Sequence, residues 1–184
     1  MGVISHSGFL FNYLVSSVAA TGIGPSKGIS CGSDSDLSFV DFLEYLGQDQ
    51  QTKIIVAYLE GVEDGRRLLK VAREVSREKP IIILKGGDTE IGKETSASHT
   101  GTLAVSAVIW DTLCRQTGIL SVDSFQQMID SLIALFHLPR PRGKRVGVIA
   151  APGGIAVSAA DACSKLGLEL PKLSADTQTQ LANL

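Results

Sequence analysis

Two apolar runs, Lys53–Leu59 and Pro80–Leu84, constrain the fold more than any other feature of this chain. Neither run alternates apolar with polar residues, and continuous apolar strands are typical of parallel sheets that are covered on both faces. The segment between them, Asp64–Glu78, places Leu68 and Val71 on one helical face and charged side chains on the other. The three segments therefore predict two parallel strands joined by a helical crossover.

The same alternation of short apolar runs and amphipathic segments extends over most of the chain. Further strands are predicted at Val3–Ile4, Lys27–Cys31 and Ile119–Val122. Further helices are predicted at Phe9–Ala20, Leu37–Leu46, Leu103–Gln116 and from Asp123 or Ser124 to Phe136. Because the first of these helices is apolar on nearly every side, we expect it to be well buried. Strands that alternate with helices predict an α/β fold with a doubly wound parallel sheet.

Residues 138–144 contain two prolines and a glycine, which predict a linker rather than a continued helix. A strand at Arg145–Ala150 and a helix at Ile155–Leu166 are predicted beyond it. About forty residues are too few for an independent core. We therefore expect a first domain over 1–137, a linker over 138–144, and the incomplete beginning of a second domain over 145–184.

Charge and composition exclude several classes of function. A formal net charge of -2 and an aromatic content of 5% give no basis for binding nucleic acid. No apolar run reaches membrane-spanning length. Cys31, Cys114 and Cys163 are far apart in sequence, which suits buried, reduced thiols in a cytoplasmic protein and predicts no metal ligands. Because the chain opens directly on the strand Gly2–Ser5, we expect it to be a piece of a longer protein.

Ligands of open α/β sheets collect at the carboxyl ends of the strands, and four such ends carry suggestive residues. Ser7 and Gly8 follow the first strand and begin a helix, an arrangement that suits an anion, although an ordinary serine cap explains them equally well. Glu60 follows the third strand, where a carboxylate can orient a histidine, although it can also be a solvated loop acid. The G-x-S-x-G pattern of a serine hydrolase is absent.

The other two strand ends are rich in glycine. Lys85-Gly86-Gly87 leads into a polar loop that contains His99, where an imidazole would stay reachable as a nucleophile. Alternatively, Lys85 is a solvated charge and His99 is a solvated residue beside a helix cap. Gly153-Gly154 begins a helix after the last predicted strand, which suits an anion or simply tight packing. Two helix starts directed at one phosphate would stabilise its charge better than either one alone.

Five motifs occur in the order of one known family. They are Ile4-Ser5-His6-Ser7-Gly8, Asp41-Phe42-Leu43-Glu44-Tyr45-Leu46, Tyr58-Leu59-Glu60-Gly61, Leu84-Lys85-Gly86-Gly87 and Ser98-His99-Thr100-Gly101. With them the chain resembles, over nearly its whole length, the succinyl-CoA-ligase-like flavodoxin domain of ADP-forming acyl-CoA synthetases. The resemblance implies a flavodoxin-like sheet, followed by the start of a second flavodoxin-like domain.

The resemblance also implies roles for particular residues. The loop histidine of the family is phosphorylated during turnover, which implies a phosphohistidine at His99, and the family's glutamate at the position of Glu60 supports it. The loop residues that would support it here are Ser98, Thr100 and Gly101. The family's paired phosphate-binding helices begin at the positions of Ser7-Gly8 and Gly153-Gly154.

The implied reaction converts acyl-CoA, phosphate and ADP reversibly to acid, CoA and ATP. An acyl phosphate forms first, its phosphoryl group moves to His99, and the loop carries it to ADP. The family's CoA-binding Rossmann domain and ATP-grasp domain are expected to lie outside this chain. They would supply the CoA site, the ATP or ADP site and Mg²⁺, in an oligomeric enzyme. Within the chain itself we expect no bound cofactor and no metal ligand.

Four positions depart from the family pattern. The family usually has Gln at His6, Asn at Ser33, a basic residue at Asp88 and Gly at Val105. The main alternative function is a non-catalytic module that senses CoA or acyl-CoA in a fusion with a lysine acetyltransferase. Such relatives often lack the histidine, so His99 favours the enzyme. Flavin binding is a weaker alternative, because no aromatic-flanked phosphate loop is evident.

Overall fold

The computed structural model describes residues 1–87, 89, 91–92, 106–139 and 141–183. The predicted histidine loop, with Ser98, His99, Thr100 and Gly101, lies outside the described residues, as do Asp88 and Val105. The chain forms two compact units, Met1–Leu138 and Pro139–Leu184, and each is described here by itself.

Five parallel strands form the sheet of the first unit. They are β1 (Gly2–Ser5), β2 (Lys27–Ser30), β3 (Ile55–Leu59), β4 (Ile81–Lys85) and β5 (Leu120–Val122). Their order in the sheet is β2-β1-β3-β4-β5, with Ser5 level with Tyr58 and Leu59 level with Lys85. This order is flavodoxin-like, and the direction of winding reverses between β1 and β3. The predicted doubly wound parallel sheet is confirmed.

Five described helices connect or follow these strands. They are α1 (Gly8–Ala19), α2 (Phe39–Gln48), α3 (Gly65–Val75), α4 (Ala107–Thr117) and α5 (Phe125–His137). A serine or aspartate caps the amino end of each, and its side chain accepts a hydrogen bond from an N–H group of the first turn. Helix α4 ends at Gly118, whose φ of 80° is readily adopted only by glycine.

The sheet has an apolar core on each face. Helices α2, α3 and α4 cover one face, where Phe39 and Leu43 pack on Ile55 and Ala57. Helices α1 and α5 cover the other face. That cluster includes Leu14, Val18, Ile54, Val56, Ile82 and Met128. Successive side chains of β3 thus point to opposite faces, which explains why this strand is apolar at every position.

The prediction that α1 is well buried was wrong. Only Leu14 and Val18 are buried in it, whereas Phe9 is 77% exposed and Tyr13 is 50% exposed. One face of α1 packs on the sheet, and its other apolar residues stay at the surface. Phe9 and Tyr13 stack on each other there, and Tyr13 also contacts Phe125 of α5.

The second unit contains α6 (Gly153–Lys165) and α7 (Ala175–Ala182), neither of which buries any residue. The predicted strand at Arg145–Ala150 was wrong, because only a single bridge forms there, between Arg145 and Glu169. Without a neighbouring strand along its length, this apolar run cannot form a ladder. Among the described helices of the chain, none is both long and apolar enough to span a membrane.

Candidate functional site

The start of α1 is built by two serines at the carboxyl end of β1. The Ser5 hydroxyl donates to the carbonyl oxygen of Ser7 (2.7 Å) and accepts from the Ser7 N–H (3.1 Å). The Ser7 hydroxyl in turn accepts from the N–H of Leu10 (3.3 Å). The two serines therefore fix the turn that leads from the strand into the helix.

The same hydrogen bonds leave two N–H groups for an anion. The N–H of Ser7 is occupied by Ser5, whereas those of Gly8 and Phe9 have no acceptor within the described part of the chain. Gly8 is exposed, and a Cβ there would meet only the Ser30 hydroxyl, at 3.5 Å. The start of α1 is thus an open helix N-terminus that can hold a small anion.

A buried histidine, whose role the sequence analysis did not predict, stands directly before this turn. His6 is 5% exposed, and its ring lies edge-on to Phe39. Its Nδ1 accepts the N–H of Glu60 (3.3 Å), and its Nε2 lies 3.3 Å from Oδ2 of Asp34 without the alignment of a hydrogen bond. His6 therefore ties the end of β1 to the end of β3 and to the loop after β2.

Asp34 and Cys31 complete this cluster. Asp34 has a φ of 54°, and its Oδ2 also accepts the N–H of Phe39 (2.9 Å) at the start of α2. Burial raises the pKa of Asp34, but His6 and the Phe39 N–H outweigh that effect and hold its pKa below the usual value. Burial and the charge of Asp34 raise the pKa of Cys31 to about 12, so its thiol stays protonated at neutral pH.

One possible ligand atom from each of His6, Cys31 and Asp34 lies within 4.8 Å of the others. Their side chains nevertheless do not fit a metal ion in this arrangement. Because Nδ1 of His6 accepts a hydrogen bond, the proton of the neutral ring lies on Nε2, the nitrogen that faces Asp34. A metal ion would need the lone pair of that nitrogen. The cluster is better suited to tie the loop after β2 to the end of β1.

Glu60 lies at the end of β3, beside β1, where the winding of the sheet reverses. It is 5% exposed, so the alternative of a solvated loop acid was wrong. Burial and the charge of Glu60 raise the pKa of Tyr58 to about 12. A buried carboxylate held in this way can orient and stabilise a cationic partner.

Lys85 and the two glycines after it lie at the end of β4. Lys85 is 5% exposed, and its ammonium donates to the carbonyl oxygens of Gly86 (3.2 Å) and Gly87 (3.5 Å). The alternative that Lys85 is a solvated charge was therefore wrong. Gly87 has a φ of 74°, as the predicted tight turn requires.

Gly153 and Gly154 belong to the second unit and form the first turn of α6. Pro152 precedes them and supplies no side-chain cap, and a Cβ at either glycine would meet no atom within 4 Å.

All three cysteines of the chain are described, and none is in a disulfide. Cys114 is buried as predicted, whereas Cys31 and Cys163 are only partly buried.

The parallel sheet and the polar strand ends define the class of this protein. Residues 1–135 match the succinyl-CoA ligase-like flavodoxin domain, and the chain belongs to that family. It is 41% identical over 178 residues to the alpha subunit of ADP-forming acetate–CoA ligase II of Pyrococcus furiosus, covering 97% of this chain and 39% of the relative. It is 39% identical to the ADP-forming acetate–CoA ligase of Methanocaldococcus jannaschii, covering 100% of this chain and 26% of the relative.

A solved structure agrees with the sequence relatives. The dinucleotide-forming acetyl-coenzyme A synthetase 1 of Ca. Korarchaeum cryptofilum, in complex with phosphate and ADP, superposes with a TM-score of 0.86 at 38% identity. The superposition covers 94% of this chain and 38% of that one. The chain thus spans between a quarter and two fifths of the length of these relatives.

Proposed function

We propose that this chain is the phosphohistidine-carrying part of an ADP-forming acyl-CoA synthetase. The observation that carries the proposal is the position of Glu60, buried at the switch point of the sheet beside the open start of α1. A carboxylate and an anion site thus flank one crevice, the usual place for a ligand in such a sheet. The relatives that share this fold are named ADP-forming acetate–CoA ligases, which supports the same reaction here.

The chemical step assigned to this chain is phosphoryl transfer. The neutral imidazole of His99 attacks the phosphorus of an acyl phosphate, a nitrogen–phosphorus bond forms, and the carboxylic acid leaves as its carboxylate. Glu60 accepts the N–H of the second ring nitrogen and stabilises the cationic phosphoimidazole. The N–H groups of Gly8 and Phe9, with Ser7, hold the phosphate oxygens. A later attack by the terminal phosphate oxygen of ADP regenerates His99 and gives ATP.

The organisation of the chain is part of the proposal. Residues 1–137 would form the domain that bears the loop, 138–144 a linker, and 145–184 the beginning of a second flavodoxin-like domain. That second domain would bring Gly153-Gly154 to the phosphate as the other helix start, with Ser98, Thr100 and Gly101 supporting His99. The apolar residues that α6 leaves exposed, Ile155 and Val157, support such a larger domain.

The complete enzyme would bind CoA through a Rossmann domain and ADP or ATP through an ATP-grasp domain or subunit, and it would be an oligomer. Mg²⁺ would serve the nucleotide there, by neutralising phosphate charge. The absence of disulfides supports a reducing, cytoplasmic location. The 184-residue chain by itself is expected to make neither acyl-CoA nor ATP, because the domains proposed to bind CoA and nucleotide lie outside it.

Labelling with γ-phosphate-labelled ATP tests the proposal in the complete enzyme. The label should reside on His99, should be lost in acid and should survive alkali. His99→Ala should abolish both label and turnover, whereas His137→Ala, at an exposed position at the end of α5, should leave both unchanged. Glu60→Gln should slow turnover on the order of a hundredfold, as does the removal of other charge-stabilising groups. Full activity of His99→Ala would overturn the catalytic role of this loop, and a sensing module would then be the better account of this chain.

A further inference from the structure

Tyr58 and Gly86 lie close to Glu60, and none of the roles proposed above involves either of them. Tyr58 lies in β3, and Glu60 follows directly after the end of that strand, two residues further along the chain. Gly86 follows Lys85, which lies level with Leu59 on the neighbouring strand, and its N–H donates to the carbonyl oxygen of Leu59 (2.8 Å).

Gly86 leaves little room beside this pair. A Cβ built on Gly86 would lie 2.9 Å from the Tyr58 hydroxyl oxygen and 3.5 Å from Cγ of Glu60. The first of these distances is shorter than real Cβ contacts allow, so any larger residue at 86 would displace the hydroxyl. The Tyr58 hydroxyl and the Glu60 side chain therefore both lie against the backbone of Gly86.

We propose that Tyr58 is a positioning residue, whose hydroxyl donates a hydrogen bond to the Glu60 carboxylate and holds it for the histidine loop. The contact is a property of this chain alone, whereas its effect on turnover rests on the proposed function. A tyrosine suits the task because its ring packs in the sheet while its hydroxyl reaches a polar partner. Charge-assisted hydrogen bonds to a carboxylate are stronger than neutral ones, so the hydroxyl would hold the carboxylate oxygen of Glu60 firmly.

The ionisation of Tyr58 tests the contact without any activity. Burial and the charge of Glu60 raise the pKa of Tyr58 to about 12, so its hydroxyl titrates at a higher pH than that of an ordinary tyrosine. Glu60→Gln removes a negative neighbour, which lowers this pKa, while burial keeps it above the ordinary value. Carbon NMR of the chain labelled at tyrosine Cζ should show the Tyr58 signal titrating at lower pH in Glu60→Gln than in the unaltered chain.

The exposed tyrosines at 13 and 45 are internal controls, and their signals should be the same in both chains. Gly86→Ala should also shift the Tyr58 titration, because the added methyl group displaces the hydroxyl. Identical Tyr58 titrations in the unaltered and Glu60→Gln chains would show that no contact exists and would overturn the proposal.

A double-mutant cycle in the complete enzyme tests the consequence for phosphoryl transfer. Tyr58→Phe should lower kcat about tenfold and leave KM for phosphate unchanged, because partners that orient a catalytic ligand typically matter to this extent. In the Glu60→Gln background the same change should have little further effect. Tyr45→Phe is the matched control, an exposed tyrosine on α2, and should not alter kcat.

The two proposals fail in different ways. If Glu60→Gln keeps full activity while the Tyr58 titration still depends on Glu60, the contact is real and the proposed function of Glu60 is wrong. If Glu60→Gln slows turnover but Tyr58→Phe slows it independently and multiplicatively, Tyr58 does not act through Glu60 and the positioning role is wrong.

Discussion

The starts of α1 and α6 follow the same sequence pattern, a predicted strand, a turn with small residues and then a helix, yet their structures differ. Ser7 caps α1, with Ser5 bonded to Ser7 and buried His6 and Glu60 behind the turn. At α6, Pro152 supplies no side-chain cap, and the helix buries no residue.

The difference shows that a glycine turn in the sequence does not by itself identify an anion site. The sequence pattern predicts available N–H groups, but how strongly those groups bind an anion depends on how firmly the turn is held. Preorganised donors stabilise charge because they need not be reordered when the charge forms. In the described structure the start of α1 has this support within its own unit, whereas the start of α6 would obtain it only from a larger second domain.

The largest expected difference between the two helices is in packing. Val18 of α1 is fully buried, whereas Val157 of α6 is 64% exposed. Val18→Ala should lower the free energy of unfolding by about 2 kcal/mol, from lost burial and the cavity left behind. Val157→Ala should change it by less than about 0.5 kcal/mol. Urea denaturation of both variants measures the contrast, and equal losses would show that α6 is buried like α1.

A smaller effect is expected at the cap. Ser7→Ala removes the acceptor of the Leu10 N–H and should cost about 1 kcal/mol in the free energy of unfolding. Ser33→Ala is the control, because within the described part of the chain the exposed Ser33 hydroxyl bonds only to that of Ser35. If denaturant titration gives the two serine variants the same stability, the turn before α1 does not depend on its cap.

Much of the fold was predictable because hydrophobic periodicity is a local signal. The apolar runs at β3 and β4 could only be strands covered on both faces, and Gly118 marked the end of α4. Two local predictions were wrong because burial depends on neighbours. The exposed face of α1 has no described element packed over Phe9, and the run after Arg145 has no described strand to pair with.

The site was less predictable than the fold. Glu60 and the turn at Ser7 were found from their positions at strand ends, which the order of elements already determines. The His6–Asp34 pair was missed, since residues 28 positions apart meet only once β1 and β2 lie side by side. The one available signal was the departure from the family's Gln at position 6.

The smallest expected effect is that of the Asp34 charge on the reactivity of the Cys31 thiol. Burial and Asp34 together raise the pKa of Cys31 to about 12, so its thiol should be alkylated slowly at pH 8. Asp34→Asn removes the negative charge and should lower that pKa, which increases the thiolate fraction and speeds alkylation several-fold. Mass spectrometry of Cys31, with Cys163 of the second unit as the control, measures the change. An unchanged alkylation rate at Cys31 would show that Asp34 does not affect the pKa of this thiol.

A phosphate titration of the isotopically labelled 184-residue chain, followed by amide NMR, tests the central claim most directly. The start of α1 offers the N–H groups of Gly8 and Phe9 within a turn that is already held, so these two amides should shift saturably with added phosphate. The amides of Gly153 and Gly154, the matching positions of α6, should shift far less, because nothing in the described second unit supports the start of α6. Shifts confined to amides distant from Gly8, or shifts larger at α6 than at α1, would contradict the account.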